Sequence, residues 1–123
     1  GTAYCIKADE KKIAYVTDNE LNPPDKLNTS ICEWSNFIEG ADLLIHDAQF
    51  IDADLPLKHG WGHSTIDQVA ELAIKASIKN VIIISHDPSR TDEQLVAIEK
   101  YLHTQYAQQV KIECGREGRV FDF

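Results

Sequence analysis

No stretch of this sequence approaches the roughly 20 consecutive apolar residues that a membrane-spanning helix needs. The N-terminus shows no basic region followed by an apolar run, so no signal peptide is expected. Cysteine is scarce. Cys5, Cys32 and Cys114 are three residues at unrelated spacings, without a C-x-x-C pair. That argues against a disulfide framework or a zinc knuckle and suits reduced, small apolar residues of a cytoplasmic protein. Positive charge is short as well: 12 Lys and Arg stand against 20 Asp and Glu, a formal charge of −8, and no basic run exceeds Lys11-Lys12. Phosphate backbones are gripped by clustered Lys and Arg, so a long nucleic acid is disfavoured as a partner and a small substrate is easier to accommodate. Repeats, low-complexity segments and an internal linker are all missing.

What is present is 123 residues, 43% of them hydrophobic, enough for one domain with a modest core. Ala3-Tyr4-Cys5-Ile6-Lys7 and Lys12-Ile13-Ala14-Tyr15-Val16-Thr17 read as a hairpin across a polar link. The Pro-containing stretch from Asp18 to Thr29 reads as a loop and disfavours a helix. Ser30-Ile31-Cys32-Glu33 fits a capping box, which predicts a helix from Ile31 to Ile38 that stops at Gly40. Ala41 to His46 reads as a central strand, with Asp47 at its C-terminal end. Thr65-Ile66-Asp67-Gln68 opens a helix to about Ser77, with Asn80 as its stop. Val81-Ile82-Ile83-Ile84, four β-branched residues in a row, suits a strand covered on both faces. Thr91-Asp92-Glu93-Gln94 opens a helix to about Gln105 that carries Leu95, Ile98 and Leu102 on one stripe. Val110 to Cys114 reads as a late strand, and Gly118 to Phe123 as a last short one. The pattern is α/β, a mixed sheet covered by helices.

Chemistry concentrates in two loops. Gly60-Trp61-Gly62-His63-Ser64-Thr65 and Ser85-His86-Asp87-Pro88-Ser89-Arg90 each set a histidine just before a predicted helix. Asp18 and Asp47 follow predicted strands. If those strands are parallel neighbours, the loops open on one edge, where such sheets place their sites. Imidazole nitrogen and carboxylate oxygen are good zinc ligands, and a carboxylate can span two cations. Metal-bound water falls to a pKa of roughly 7, and imidazole titrates unperturbed in that range, so His63 can pass a proton to a departing alkoxide. Each residue also has a plain structural reading: Asp18 as a turn carboxylate, Asp47 as a strand-end acid, His63 and His86 as loop or edge histidines. His46 reads as a hydrogen-bonded core histidine, His59 and His103 as solvated, and Arg90 and Asp87 as residues that orient their loop.

Taken in order, Tyr15-Val16-Thr17-Asp18, Leu44-Ile45-His46-Asp47-Ala48-Gln49-Phe50, Gly62-His63-Ser64-Thr65 and Ser85-His86-Asp87-Pro88 resemble the C-terminal half of the metallo-β-lactamase-fold hydrolases. The likeness is to the branch containing ribonuclease Z and related phosphodiesterases, and it runs from about Tyr4 to Val120. The resemblance implies one half of an αββα sandwich that takes part in phosphodiester hydrolysis by a metal-bound hydroxide. It implies Asp18 as the carboxylate bridging two metal ions, zinc or another divalent metal, and His86 as a ligand of the second ion. His63 matches the histidine that protonates the leaving oxygen. Asp47 holds the acidic position of the family's His-Glu-Ala-Thr motif, which orients that histidine. Here the acid is Asp instead of Glu, and Gln49 stands in place of Thr.

The family's His-x-His-x-Asp-His run is not in this sequence, nor is the histidine that normally precedes the position of Asp18. Asp18 and His86 alone are too few ligands for a closed tetrahedral site. The expectation is a single partial domain that is inactive by itself, with an apolar face that self-associates as a dimer or packs against a missing N-terminal half. The expected substrate of the complete hydrolase is a small phosphodiester or cyclic nucleotide. A non-catalytic half-domain serving as a binding or oligomerisation module is the main alternative. A doubly wound signalling domain fits less well, because the chain opens on a hairpin.

Overall fold

Three parallel connections and one tight turn build a five-stranded sheet whose spatial order follows the chain, β1-β2-β3-β4-β5. A computed structural model describes residues 2–17, 21, 31–48, 51, 64–84, 90–115, 118 and 120. The elements are β1 (Thr2–Ala8), β2 (Lys11–Thr17), α1 (Ile31–Ile38), β3 (Leu43–Asp47), α2 (Ile66–Lys75), β4 (Asn80–Ile84), α3 (Asp92–Tyr106) and β5 (Lys111–Cys114). β1 and β2 are antiparallel, and β2 to β5 run parallel. The mixed α/β sheet expected from the sequence is therefore the one observed. Among the described residues no helix is long and apolar enough to cross a membrane.

The hairpin closes on two residues, Asp9 and Glu10, with φ of 49° and 66°. Positive φ at both positions matches the right-handed twist of the flanking strands and is usually left to Asn and Gly. The paired strands are consequently longer than their sequence signals, reaching Ala8 and Lys11.

Strand alternation separates two faces. Ala14, Leu44, Val81 and Ile112 lie side by side across the sheet, and all belong to one core cluster with Val16 and Ile83. Ile38 of α1, Val69, Ala70 and Ala73 of α2, and Leu102 and Tyr106 of α3 join the same cluster. All three helices thus cover one face. Parallel crossovers are almost always right-handed, so a sheet that grows steadily in one direction places its helices together. The opposite face carries Tyr4, Ile6, Ile13, Tyr15, Ile45, Ile82 and Ile84, with Tyr4 57% and Ile6 51% exposed.

The capping boxes at Thr65 and Thr91 form as expected, each threonine accepting from the N3 backbone while the N3 glutamine accepts from the threonine N–H. The end of α2 lies close to the expected Ser77, but the residue that stops it is not the expected one. Asn80 does not stop the helix; it opens β4. The stop is Ser77, at φ 58°, whose N–H reaches Ile74 O while Ile78 N–H reaches Ala73 O. That is a Schellman ending with serine in the left-handed position usually filled by glycine. Buried Ile78, 1% exposed, supplies the apolar contact that goes with it. Two further corrections concern side chains. His103 is exposed, yet its Nε2 pairs with Ile112 O at 2.8 Å and ties α3 to β5. Cys5 and Cys32 are exposed, only Cys114 is buried, and none of the three is in a disulfide. Gly118 lies in a turn, and the rest of the expected last strand is mostly outside the described residues.

Between α2 and α3, Asp67 Oδ1 accepts from both Tyr101 (2.8 Å) and Tyr106 (2.6 Å). Burial, and then the bond to the Asp67 carboxylate, hold the Tyr106 phenol well above its ordinary value of 10.0. The folded state therefore keeps a proton that the unfolded chain releases first. Stability from this group is fully present below about pH 10 and falls as pH rises beyond it, by at most about 1.4 kcal/mol per unit. Tyr106→Phe is expected to cost about 1 kcal/mol at neutral pH and to flatten that alkaline decline. Urea midpoints at neutral pH and at about pH 11 read out both effects.

Candidate functional site

Three neighbouring parallel strands end on one edge, at Thr17, Asp47 and Ile84. In the sheet Val16 pairs with His46, and Asp47 pairs with Ile84. The strand ends are thus level across β2, β3 and β4. In sequence, Asp18 comes one residue after β2 and His86 two residues after β4. Asp18, His63 and His86 themselves lie outside the described residues.

Asp47 is described, and it is fully buried at the end of β3. The Ala48 N–H continues the ladder by donating to Ile84 O at 3.1 Å. His46, just before it, is also fully buried and shares the helix-side face with Val16 and Ile83. Its Nδ1 sits 2.7 Å from the Asp47 carbonyl oxygen and 3.4 Å from Asp47 Oδ1. The core-histidine reading of the sequence matches this placement. Nε2 of His46 has no hydrogen-bond partner among the described residues, a condition that costs about 1–3 kcal/mol for a buried polar atom.

A contact that sequence reading missed joins the other two segments. The Leu21 N–H donates to Ser64 Oγ at 3.1 Å, a buried bond between residues 43 apart. Leu21 is 1% exposed, and Ser64 and Thr65 are 0% and 1% exposed. The residue directly after His63 is therefore fixed to the segment that follows β2. No local pattern signals such a bond, because a serine one position before an N-cap looks like ordinary loop chemistry. Among the described residues, the β2–β3–β4 register levels the strand ends that precede Asp18, Asp47 and His86 in sequence, and the Leu21–Ser64 bond ties the start of α2 to a residue four positions beyond β2.

Carboxylate and imidazole donors match zinc and similar divalent ions in chemistry. In number they fall short. Among the described residues no three His, Cys, Asp or Glu side chains group closely enough to hold a metal. Asp18 and His86 would supply two ligands, leaving the remainder to residues outside this set.

No protein-family model matches the chain. Over 83 residues it is 36% identical to a ribonuclease Z of Parabacteroides distasonis, a match covering 68% of this chain and 24% of that protein. In structure it resembles the metallo-β-lactamase-fold protein YhfI of Bacillus subtilis, with a TM-score of 0.73 at 17% identity. That likeness covers 97% of this chain and 42% of YhfI. A diphosphatase of the PhnP family superposes with a TM-score of 0.59 at 21% identity, over 90% of this chain and 35% of that one. The chain thus spans about a quarter of the curated relative it matches and well under half of the solved chains.

Proposed function

Because this chain is ribonuclease Z-like and has the metallo-β-lactamase fold, we propose that the protein carrying it hydrolyses phosphodiesters, with the described sheet edge forming part of the active site. The observation that supports this most is the level ending of β2, β3 and β4, together with the bond that joins Leu21 to Ser64. Asp18 and His86 hold divalent metal, zinc in the first instance, together with donors from elsewhere in the protein. When bound, the metal supplies positive charge against the phosphoryl oxygens and makes water acidic enough to attack near neutral pH. His63 donates a proton to the departing oxygen. Asp47 accepts from the His63 imidazole and holds it in the orientation that donation requires. The net charge of −8 favours a small phosphodiester or cyclic nucleotide over a long RNA in contact with this part of the protein.

The test uses the full-length protein with zinc and bis(p-nitrophenyl) phosphate. Asp18→Ala and His86→Ala are each expected to lower bound metal by elemental analysis and to abolish measurable turnover. Full metal content in both variants would remove these residues from the ligand set. By itself the chain is inactive in this reading, since two ligands do not close a site.

The apolar face of the sheet supports a second proposal. Tyr4, Ile6, Tyr15 and Ile45 present apolar surface with no described helix over it. The isolated chain self-associates through this face, as a dimer. Sedimentation at high concentration is expected to show the dimer, and Tyr4→Lys combined with Ile6→Lys to return it to a monomer. A monomer for the unaltered chain would sink the idea. A binding or oligomerisation module without catalysis draws on this same face and would leave the metal variants without effect.

A further inference from the structure

The role proposed for Asp47 leaves unexplained the residue before it. His46 has no exposure and sits between Val16 and Ile83 on a face otherwise filled by apolar side chains. Packing alone does not call for imidazole there. Leucine would occupy similar volume without leaving a buried Nε2 that has no partner among the described residues. What imidazole adds is a donor. A carbonyl oxygen can only accept, so the 2.7 Å contact between Nδ1 and Asp47 O places a hydrogen on Nδ1.

That bond acts on one peptide group from one side while the sheet acts from the other. The carbonyl of Asp47 and the N–H of Ala48 belong to the same planar unit. His46 grips the carbonyl, and Ile84 O takes the Ala48 N–H at 3.1 Å. With both ends held, the plane cannot turn, and the backbone dihedral on the carbonyl side of the Asp47 Cα is fixed. That dihedral sets the direction of the Asp47 Cα–Cβ bond relative to the held plane, and Oδ1 of its carboxylate stands 3.4 Å from Nδ1.

We propose that His46 is a positioning residue: it locks the Asp47–Ala48 peptide so that the Asp47 carboxylate is aimed before substrate arrives. This rests on the reading of Asp47 as the residue that orients His63. A carboxylate that wandered by an ångström would hold the imidazole poorly, and catalysis is sensitive to misplacement of that size.

The experiment compares His46→Asn, His46→Gln and His46→Leu in the full-length zinc protein, on a dinucleoside phosphate whose leaving group is an alkoxide. Asparagine carries its amide nitrogen at the distance of Nδ1, so it keeps the donor. Glutamine carries it one bond farther out, and leucine keeps volume alone. His46→Asn is expected to retain kcat within about threefold, whereas His46→Gln and His46→Leu lose at least about tenfold with KM and metal content unchanged. Thermal midpoints, read alongside, are expected not to rank with kcat. Equal kcat for the Asn and Gln variants, or a loss that tracks the thermal midpoint, would overturn the proposal; this comparison stands even where the Leu variant fails to fold. Asp47→Ala separates the two levels of argument. Full kcat in that variant would remove the role of Asp47 itself, and with it that of His46. A loss there together with unimpaired His46→Gln would remove only the positioning role.

Discussion

His63→Ala in the full-length protein is expected to lower kcat on a phosphodiester with an alkoxide leaving group by about 10²–10⁴-fold, the usual span for a lost general acid. Metal content and KM should stay where they were. An alkoxide is a poor leaving group unless it is protonated as it departs. p-Nitrophenolate leaves readily as an anion, so the same variant should lose far less on bis(p-nitrophenyl) phosphate. That contrast is the decisive readout. Equal losses on both esters would mean that His63 positions substrate or supports the fold, and does not deliver a proton. The neighbouring chain argues that the lesion will stay local. Ser64 is anchored by the Leu21 N–H at 3.1 Å, and Thr65 caps α2 through Gln68. Removing the imidazole touches neither bond.

Ile83→Ala should have the largest effect on stability. Ile83 is fully buried one residue before the end of β4 and faces the helices, with His46 and Cys114 as its register partners on either side. Truncation removes buried methyl groups and leaves a cavity that a sheet backbone cannot close. The expected cost is about 2–5 kcal/mol, against a total stability of about 5–15 kcal/mol for a folded domain. Val96→Ala is the control from a solvent-facing position on α3. At 53% exposed, Val96 should change stability by no more than about 0.5 kcal/mol. Urea unfolding of the two variants checks the assignment of the buried face, and similar costs would refute it.

How far the sequence spoke for itself differs from element to element. Val81 to Ile84 announced a strand because four β-branched residues fit little else, and β4 covers it. Thr65 and Thr91 announced helix starts because the capping box is a local bond between residues three apart, and both boxes form. The stop of α2 was misplaced because Ser77 adopts a glycine-like φ without being glycine. Its conformation is set by Ile78 packing into the core, which is tertiary information. The hairpin turn was blurred for the same reason, with Asp9-Glu10 in place of Asn-Gly. In the candidate site, the order of Asp18, Asp47, His63 and His86 was legible, as was the edge on which β3 ends. The Leu21–Ser64 bond was not, since it spans 43 residues. Nor was the grip of His46 on the Asp47 carbonyl, because nothing in a sequence tells which ring nitrogen of a histidine is bonded.

The strand order has a consequence for how the chain reaches this structure. Each described strand lies beside its predecessor, so none of the five must be threaded between two already in place. Within the described residues a hairpin of seven-residue strands is followed by three helix-and-strand units, each of which adds to the edge left by the strand before it. Contacts formed this way close short loops, the kind that cost least entropy early in folding. During synthesis the sheet can grow at the pace at which the ribosome releases it, from β2 toward β5. The growing edge would then offer an open strand to any other chain for only as long as the next unit takes to emerge.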